Sequence, residues 1–124
     1  MSPRFVPASV TELSRASILS SLPGETLVEL ARSMRRETLP AGAVVVSEGE
    51  EADRFYVVLN GMLTVSQLSL GARRVLRPGD TFGEVGLAMG VTRTATVRTL
   101  TPTVVASCDR ETFDRFLRPL FAEP

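Results

Sequence analysis

The chain contains 124 residues, 44% of them hydrophobic and 23% charged, which is the size and composition of one globular domain. Its 14 basic residues are all arginines and balance 14 acidic residues, so net charge favours neither nucleic acid nor anionic membranes. The absence of histidine and the single cysteine, Cys108, exclude a histidine-based catalytic triad, a zinc or iron site of histidines or paired cysteines, and an internal disulfide. No apolar run approaches the ~20 residues of a membrane span, and we expect a cytoplasmic protein.

The N-terminal part of the chain is predicted to be helical after a short leader. Residues 1–10 lack apolar periodicity and contain two prolines, which predicts a flexible leader. From Thr11, which is a suitable N-cap, apolar residues can share one helical face: Leu13, Ile18, Leu19 and Leu22. Pro23-Gly24 interrupts this pattern, and a second helix is predicted over residues 25–34 from apolar residues at three- and four-residue spacings. We therefore expect two helices within residues 11–34.

The central part of the chain shows short apolar runs separated by turn-forming residues, the pattern of β-strands. The predicted strands are residues 36–39, 44–47, 55–60, 62–68, 73–76, 94–99 and 103–106. Asn60-Gly61 lies between two apolar runs and predicts a β-hairpin with a type I′ turn, in which both central residues have positive φ. A final helix is predicted over residues 109–118, with Asp109 as its N-cap and Pro119 as its limit.

These elements predict a mainly β fold with flanking helices, of the α+β class. The expected architecture is an eight-stranded antiparallel β-roll or jelly roll with N-terminal helices, a short internal helix and a C-terminal helix. We predict one domain over residues 11–124, with the β-roll at residues 35–108.

One segment departs from the strand pattern and contains the candidate ligand-binding residues. Glu84–Met89 predicts a short helix directly after Gly83, and a helix start offers unpaired N–H groups and partial positive charge to an anion. Gly86 inside this helix costs roughly 1 kcal/mol relative to alanine, which indicates a close backbone approach. Arg93 can bind two phosphate oxygens bidentately, and Glu84 can accept a hydrogen bond from a sugar hydroxyl. The ligand predicted by this combination has one anionic phosphodiester and a free ribose hydroxyl; the alternative is a surface ion pair between Glu84 and Arg93.

The same segment has a family resemblance. Phe82–Leu87 (FGEVGL) followed by Arg93–Val97 (RTATV) resembles the phosphate-binding cassette of cyclic nucleotide-binding domains. Such domains occur in cAMP- and cGMP-dependent kinases, nucleotide-gated channels and bacterial catabolite-activator-type regulators. The strand and turn pattern of the family is also matched by residues 39–42, 48–49, 55–61 and 77–80. The resemblance extends over residues 25–118 and places the cassette at residues 82–97.

The resemblance implies a set of ligand-binding residues. By this resemblance Glu84 accepts the ribose 2′-hydroxyl and Arg93 pairs with the cyclic phosphate. Backbone N–H groups of Gly86 and Thr94 complete the cradle, with Gly83 close to the ribose. The whole implied set is Gly83, Glu84, Val85, Gly86, Arg93, Thr94, Val65 and Leu76.

The base-binding part of the site is less specified. Val65 and Leu76 occupy positions where such domains place apolar contacts to the purine, and ordinary core packing explains them equally well. In the family, a threonine in the position of Thr94 can hydrogen-bond the 2-amino group of a syn guanine, although several domains with this threonine respond to cAMP. We expect a ligand of either cAMP or cGMP, with cAMP slightly favoured.

The resemblance implies a regulatory sensor domain that is not an enzyme and needs no metal cofactor. Family members usually continue into a helix that closes over the base as a lid, and residues 119–124 do not fit such a helix. We therefore expect the output through a partner or a missing domain, such as an effector protein or a second copy in a homodimer. No helix-turn-helix follows the β-roll, so direct binding of nucleic acid is not expected.

Two other functions remain as alternatives. The chain could be a degenerate homologue that binds no nucleotide and serves as a scaffold for protein interactions. A small β-barrel enzyme of the cupin type is disfavoured because its metal site needs histidine.

Overall fold

The computed structural model describes residues 6–121, apart from the side chains of residues 72 and 73. Half of the predicted leader, residues 1–5, lies outside the described residues. The other half runs beside the first strand: the Arg36 N–H donates to the Val6 carbonyl at 2.7 Å, and the Ala8 N–H donates to the Met34 carbonyl at 3.0 Å.

The first helix is shorter than predicted and begins earlier. Helix α1 spans Val10–Leu13 and is capped by Ser9, whereas Thr11 lies inside the helix. Ser9 and Glu12 form a reciprocal capping box with two hydrogen bonds of 3.1 Å, which satisfies N–H groups that a helix start leaves open. The prediction that Thr11 is the N-cap is therefore wrong.

The segment after α1 does not continue as a helix but forms a separate 3₁₀ turn at Leu19–Ser21. Three serine hydroxyls along it donate to the backbone carbonyl three residues earlier: Ser14, Ser20 and Ser21. Such local bonds compete with helical ones. Helix α2 follows at Gly24–Ser33 and buries Leu27, Leu30 and Ala31, as the spacing predicted.

Eight strands are found within the described residues: β1 Arg35–Leu39, β2 Val44–Val46, β3 Arg54–Asn60, β4 Leu63–Gln67, β5 Gly71–Leu76, β6 Thr81–Phe82, β7 Thr96–Thr99 and β8 Thr103–Asp109. They form two four-stranded sheets, with strand orders β1-β8-β3-β6 and β2-β7-β4-β5, and every pairing is antiparallel. The predicted antiparallel β-roll with flanking helices is confirmed.

The predicted β-hairpin at Asn60-Gly61 is wrong. Strands β3 and β4 belong to different sheets, so this turn carries the chain from one sheet to the other. Gly61 has a φ of 85°, while Asn60 has no positive φ, which excludes a type I′ turn. A Cβ on Gly61 would overlap the backbone of Pro102 and lie 2.7 Å from the Thr103 hydroxyl, so β8 packs too closely for another residue.

The short internal helix, α3, spans Glu84–Met89. The C-terminal helical segment begins after Asp109 and consists of α4 Arg110–Thr112, a π-helical turn at Phe113–Leu117, and α5 Arg118–Phe121. Pro119 does not end the helix as predicted. The wide π turn, in which the Arg118 N–H donates to the Phe113 carbonyl, lets the chain pass through proline without an α-type i→i−4 bond there.

Two apolar cores fix the position of α3. The first lies between one sheet and the helices and includes Phe55, Leu87 and Phe113. The second lies between the sheets and includes Leu76 and Phe82. Helix α3 follows β6 directly, so its start lies at the second core while its buried face packs on the first. Among residues 6–121 no helix has the length and apolar character needed to cross a membrane.

Candidate functional site

The start of α3 is set by a glycine that no other residue can replace. Gly83 has a φ of 94°, in the left-handed region. A Cβ on it would lie 2.6 Å from the Arg54 carbonyl oxygen and 2.9 Å from Nη1 of Arg93. Gly83 also provides no side-chain hydrogen bond to the helix. The first N–H groups of α3 consequently remain available, since residues at a helix start have no intrahelical acceptor.

Arg93 lies inside the protein rather than on its surface, with 5% of the residue exposed. Its Nη1 donates to the Gly83 carbonyl at 3.1 Å, and its Nη2 donates to the Arg54 carbonyl at 2.9 Å. A guanidinium carries five N–H groups. Within residues 6–121 the Nε–H and the second Nη1–H make no hydrogen bond, and Nε is not fully enclosed. The side chain is thus fixed in orientation while two donors remain available to a ligand.

The charge of Arg93 is only partly compensated by the protein. Its nearest carboxylate in the described residues is Asp53, with 3.5 Å between Nη2 and Oδ1, and the Asp53 side chain is 78% exposed. An exposed carboxylate at this distance interacts weakly. The alternative prediction of a surface ion pair between Glu84 and Arg93 is wrong, because Arg93 is buried and pairs with Asp53 instead.

Glu84, the first residue of α3, has an unsatisfied carboxylate oxygen. Its Oε2 is fully enclosed and has no hydrogen-bond partner, and no other side-chain nitrogen or oxygen in the described part of the chain shares this condition. An enclosed polar atom without a partner costs about 1–3 kcal/mol, more when charged. An atom of this kind indicates either a strained position or a site that a ligand completes.

A cavity of about 110 Å³ connects these groups. Seven of the eight predicted ligand-binding residues line it: Gly83, Glu84, Val85, Gly86, Arg93, Thr94 and Val65. Leu76 is not among the lining residues; it has no exposed surface and packs in the second core. Since ligand cavities usually measure roughly 300–1,000 Å³, this cavity accommodates only part of a nucleotide-sized molecule.

Several lining residues were missed by the sequence analysis. Val46, Arg74 and Val97 contribute to the cavity wall together with Phe82 and Ala95. Arg74 lies directly opposite Val65 in the β4–β5 register, so the pairing of these two strands was the pattern that could have identified it. Asp53 and Arg54 accept hydrogen bonds from Nη2 of Arg93 but are about 40 positions away in sequence. No local sequence pattern could have predicted these contacts.

The structural reason for a glycine at position 86 differs from the one expected. It is buried, and a Cβ on it would overlap Cβ of Ala52 and lie 3.0 Å from the Val91 carbonyl oxygen. Its lack of a side chain thus lets α3 pack against the segment before β3. The expected contact of its N–H group with a phosphate stays a prediction.

A second, wider cleft is also lined by Arg93. It measures about 520 Å³ and is lined in part by Tyr56, Asp53 and Glu50. The Tyr56 ring stacks on Phe82, with 4.7 Å between ring centres and planes 6° apart. Burial raises the pKa of the Tyr56 phenol, an effect that the nearby Arg93 opposes, so the phenol stays protonated at neutral pH.

Among the described residues, neither the one cysteine nor a cluster of metal-ligating side chains contributes to the site. Burial raises the pKa of the Cys108 thiol to about 12, so it does not form a nucleophilic thiolate at neutral pH. Within residues 6–121 no group of three or more metal-ligating side chains converges. The arrangement can instead hold an anion next to a hydrogen-bond donor, by means of Arg93, the start of α3 and Glu84.

Comparisons with known proteins agree with this geometry. The family described as "Cyclic nucleotide-binding domain" matches residues 36–119. The cAMP-dependent protein kinase regulatory subunit of Debaryomyces hansenii is 36% identical over 107 residues, which cover 86% of this chain and 24% of that protein. The chain spans about a quarter of the length of such relatives.

Solved structures share the fold. The structure of cAMP-bound PfPKA-R (141-441) superposes with a TM-score of 0.85 at 27% identity, covering 90% of this chain and 39% of that one. The regulatory subunit of a cAMP-independent protein kinase A from Trypanosoma brucei also gives a TM-score of 0.85, covering 90% of this chain and 41% of that one; at 24% identity this likeness shows the fold alone. Since the family profile covers more than half of the sequence, the chain belongs to the cyclic nucleotide-binding domain family.

Proposed function

We propose that this chain binds a cyclic nucleoside monophosphate in the cavity at the start of α3 and serves as the sensor of a regulatory protein. The observation that carries the proposal is the enclosed, unpartnered Oε2 of Glu84, a residue that lines the same cavity as Arg93. A donor hydroxyl and an anion on one small ligand would satisfy both residues together.

Glu84 suits a ribose 2′-hydroxyl. An ionised carboxylate only accepts hydrogen bonds, and a hydroxyl of the ligand can supply the donor that Oε2 lacks once the Glu84 side chain turns this oxygen toward the cavity. Because the bond would be charge-assisted, it would contribute more than a neutral one, about 1.5–3 kcal/mol. The unpartnered oxygen would then be a deficit of the free protein that the ligand removes.

Arg93 suits the cyclic phosphate. Its guanidinium is held by the carbonyls of Gly83 and Arg54, so little side-chain entropy remains to be lost on binding. Two of its N–H groups are available, and the open N–H groups of α3 add further donors to an anion. A phosphodiester carries one negative charge, which matches one buried guanidinium.

Apolar side chains would contact the base. Val46, Val65 and Val97 form an apolar part of the cavity wall, and the small cavity leaves the purine at its open side. A preference for cAMP over cGMP is supported by relatives that are named cAMP-dependent kinase regulatory subunits. The contact of Leu76 with the base, implied by the family, would require a rearrangement of the second core.

The output of the domain would lie outside the cavity. The chain spans about a quarter of its relatives' length, and regulatory subunits act on another protein. We expect a cytoplasmic, non-catalytic domain whose signal passes to an effector protein, to another domain or to a second copy in a homodimer.

Calorimetric titration with cAMP, cGMP and 2′-deoxy-cAMP tests the proposal. We expect the protein to bind cAMP more tightly than cGMP, and loss of the 2′-hydroxyl to weaken binding by about 1.5–3 kcal/mol. In Glu84→Ala, the same loss should have almost no effect, because the acceptor is gone. Glu111→Ala is the matched control, since Glu111 is exposed on α4.

Two results would contradict the proposal. If the folded protein binds neither nucleotide, the scaffold function is favoured instead. If the 2′-hydroxyl contributes equally in the parent protein and in Glu84→Ala, the role of Glu84 is wrong even though binding occurs.

A further inference from the structure

Arg118 connects the far end of α3 to the C-terminal helix. Its Nη1 donates to the Ala88 carbonyl at 3.0 Å, and its Nη2 donates to the Leu87 carbonyl at 3.0 Å. The same guanidinium is held on its own helix by Asp114, which accepts bonds of 2.9 Å from Nε and 2.6 Å from Nη2. The guanidinium carbon also lies 5.8 Å from the centre of the Phe113 ring.

These contacts satisfy groups that α3 cannot satisfy itself. The last carbonyls of any helix have no intrahelical donor, and in α3 the positive-φ Gly90 and the following Val91 both donate to the Gly86 carbonyl. Arg118 supplies donors to the next two carbonyls, and its positive charge lies at the end of the helix dipole that favours a cation. One side chain thus fixes the C-terminal end of α3 from another element.

The opposite end of α3 is the cavity. Only six residues, Glu84–Met89, separate the two ends, a length of about 9 Å at 1.5 Å per residue. Because the helix is so short, we expect a loss of contacts at Arg118 to shift Glu84 and the open N–H groups at the other end as well. Displacements of about 1 Å at a binding group are enough to weaken a preorganised site.

We propose that Arg118 is a positioning residue for nucleotide binding: from α5 it holds α3 in the orientation in which Glu84 and the helix start meet the ligand. This rests on the proposed function of the cavity.

The test uses two substitutions of Arg118 and two controls. Arg118→Ala removes all the contacts with α3, whereas Arg118→Lys keeps a charge that cannot reach two carbonyls and Asp114 together. Arg115→Ala is the matched control on the same helical segment, where Arg115 stacks 4.9 Å from the Phe116 ring centre. Arg36→Ala removes an ion pair with Glu12 of 3.1 Å far from α3.

Two quantities are measured for each variant: the Kd for cAMP by calorimetry, and amide hydrogen exchange of α3 without ligand. We expect Arg118→Ala to raise the Kd about tenfold, because the binding groups at the start of α3 are no longer held in one orientation, and to accelerate exchange in α3 while β3 and β8 stay protected. Arg118→Lys should lie between this variant and the parent, and both controls should match the parent. An effect on overall stability alone would not produce selective exchange in α3.

Other outcomes overturn the inference. If the parent protein binds cAMP and Arg118→Ala binds it equally well, or if Arg115→Ala weakens it as much, Arg118 is not a positioning residue. If the parent protein binds neither cAMP nor cGMP, the proposed function and the role of Arg118 in binding both fail. Unchanged exchange in α3 of Arg118→Ala would show that Arg118 does not hold this helix.

Discussion

Two short helices in this protein begin in opposite ways. At the start of α4, the Asp109 carboxylate accepts the Thr112 N–H at 2.9 Å, and this bond lowers the pKa of the carboxyl. At the start of α3, Gly83 offers no capping side chain, and the following Glu84 keeps an enclosed oxygen without a partner. Both starts carry an acidic residue, yet only one of them is satisfied by the protein itself.

This difference distinguishes a helix start that stabilises the fold, that of α4, from one that we propose binds a ligand, that of α3. A capped start such as that of α4 contributes about 1 kcal/mol to stability, and α1 follows the same pattern with its capping box at Ser9 and Glu12. The start of α3 lacks this contribution, and it leaves donors and one acceptor unpartnered beside the cavity. In the proposed function, the ligand supplies the missing partners of these groups.

Among substitutions at the cavity, the loss of the Arg93 side chain is expected to have the largest effect on nucleotide affinity. We expect Arg93→Ala to weaken cAMP binding by about 2–5 kcal/mol, because the ligand would lose the buried partner of its charge. Calorimetry measures the affinity, and the melting temperature shows whether the variant is folded. Arg93→Lys tests whether charge without the guanidinium geometry is enough.

Arg98→Ala is the control for that experiment, since Arg98 is exposed on the neighbouring strand and donates to the Gly42 carbonyl at 3.2 Å. It should bind as the parent does. Near-parental affinity in a folded Arg93→Ala would refute the phosphate role of Arg93.

The packing of α3 can be broken without touching a charged group. Gly86→Ala would place a Cβ against Ala52 and the Val91 carbonyl, and overpacking of this kind typically costs 1–3 kcal/mol of unfolding free energy. Chemical denaturation measures it, and nucleotide affinity should fall as well because α3 is displaced. In the double variant with Ala52→Gly, most of the stability should return.

Gly24→Ala is the matched control, because nothing lies within 4 Å of a Cβ there and Gly24 is the first residue of α2. It should be neutral or slightly stabilising. Equal destabilisation in both variants would show that Gly86 is not needed for packing against Ala52.

Removal of the Asp109 cap at the start of α4 is expected to have a smaller effect on stability, and this effect should depend on pH. Asp109→Ala should reduce the unfolding free energy by about 1 kcal/mol at pH 7 and leave nucleotide affinity unchanged. The folded protein lowers the pKa of Asp109 through the bond from Thr112. The contribution of the carboxylate is therefore complete above the unfolded pKa of about 3.9, and it is lost as the pH falls through the lower folded pKa.

Thermal melts of the parent and Asp109→Ala between pH 7 and pH 2.5 measure this dependence. The difference in melting temperature should be constant down to about pH 5 and should narrow below about pH 4. Glu111→Ala, which removes an exposed carboxylate two residues further on, should show no such difference. A difference that widens in acid would mean that the Asp109 cap is not formed.

The smallest expected effect concerns the choice of base. Thr94 is exposed at the edge of the cavity, and Thr94→Ala should weaken cGMP more than cAMP, by about one neutral hydrogen bond, 0.5–1.5 kcal/mol. Thr92→Ala is the control on the other side of Arg93. Equal losses for both nucleotides in calorimetry would reject a role of Thr94 in recognising guanine.

Much of the site follows from local sequence. The FGEVGL and RTATV segments placed a short helix, its preceding glycine and a guanidinium within one stretch, and the structure brings Gly83, Glu84 and Arg93 to one cavity. This was predictable because a helix start and its neighbouring residues depend on sequence neighbours. The capping residue Ser9 was missed by two positions, since both Ser9 and Thr11 have the side chain that a cap needs.

Distant contacts were beyond prediction. Leu76 and Arg74 are two residues apart on β5 and therefore on the same face of that strand, yet Leu76 is enclosed between the sheets while Arg74 lines the cavity. Which of them reaches the cavity depends on where the second sheet packs. Likewise, Asn60-Gly61 has the composition of a hairpin turn, and only the close approach of β8 directs the chain to the other sheet.

The sequence by itself determined the mainly β fold class, the second helix, the short internal helix and the family, and it predicted the residues that would meet a phosphate and a ribose, because alternation, turn residues and the cassette are local patterns. The tertiary structure decided which backbone carbonyls hold Arg93, why Gly86 has no side chain, and that Arg118 binds the end of α3. Apart from the bond between Arg93 and the Gly83 carbonyl, these contacts join residues 30 to 40 positions apart, and their meeting depends on how the sheets and helices pack around two shared cores.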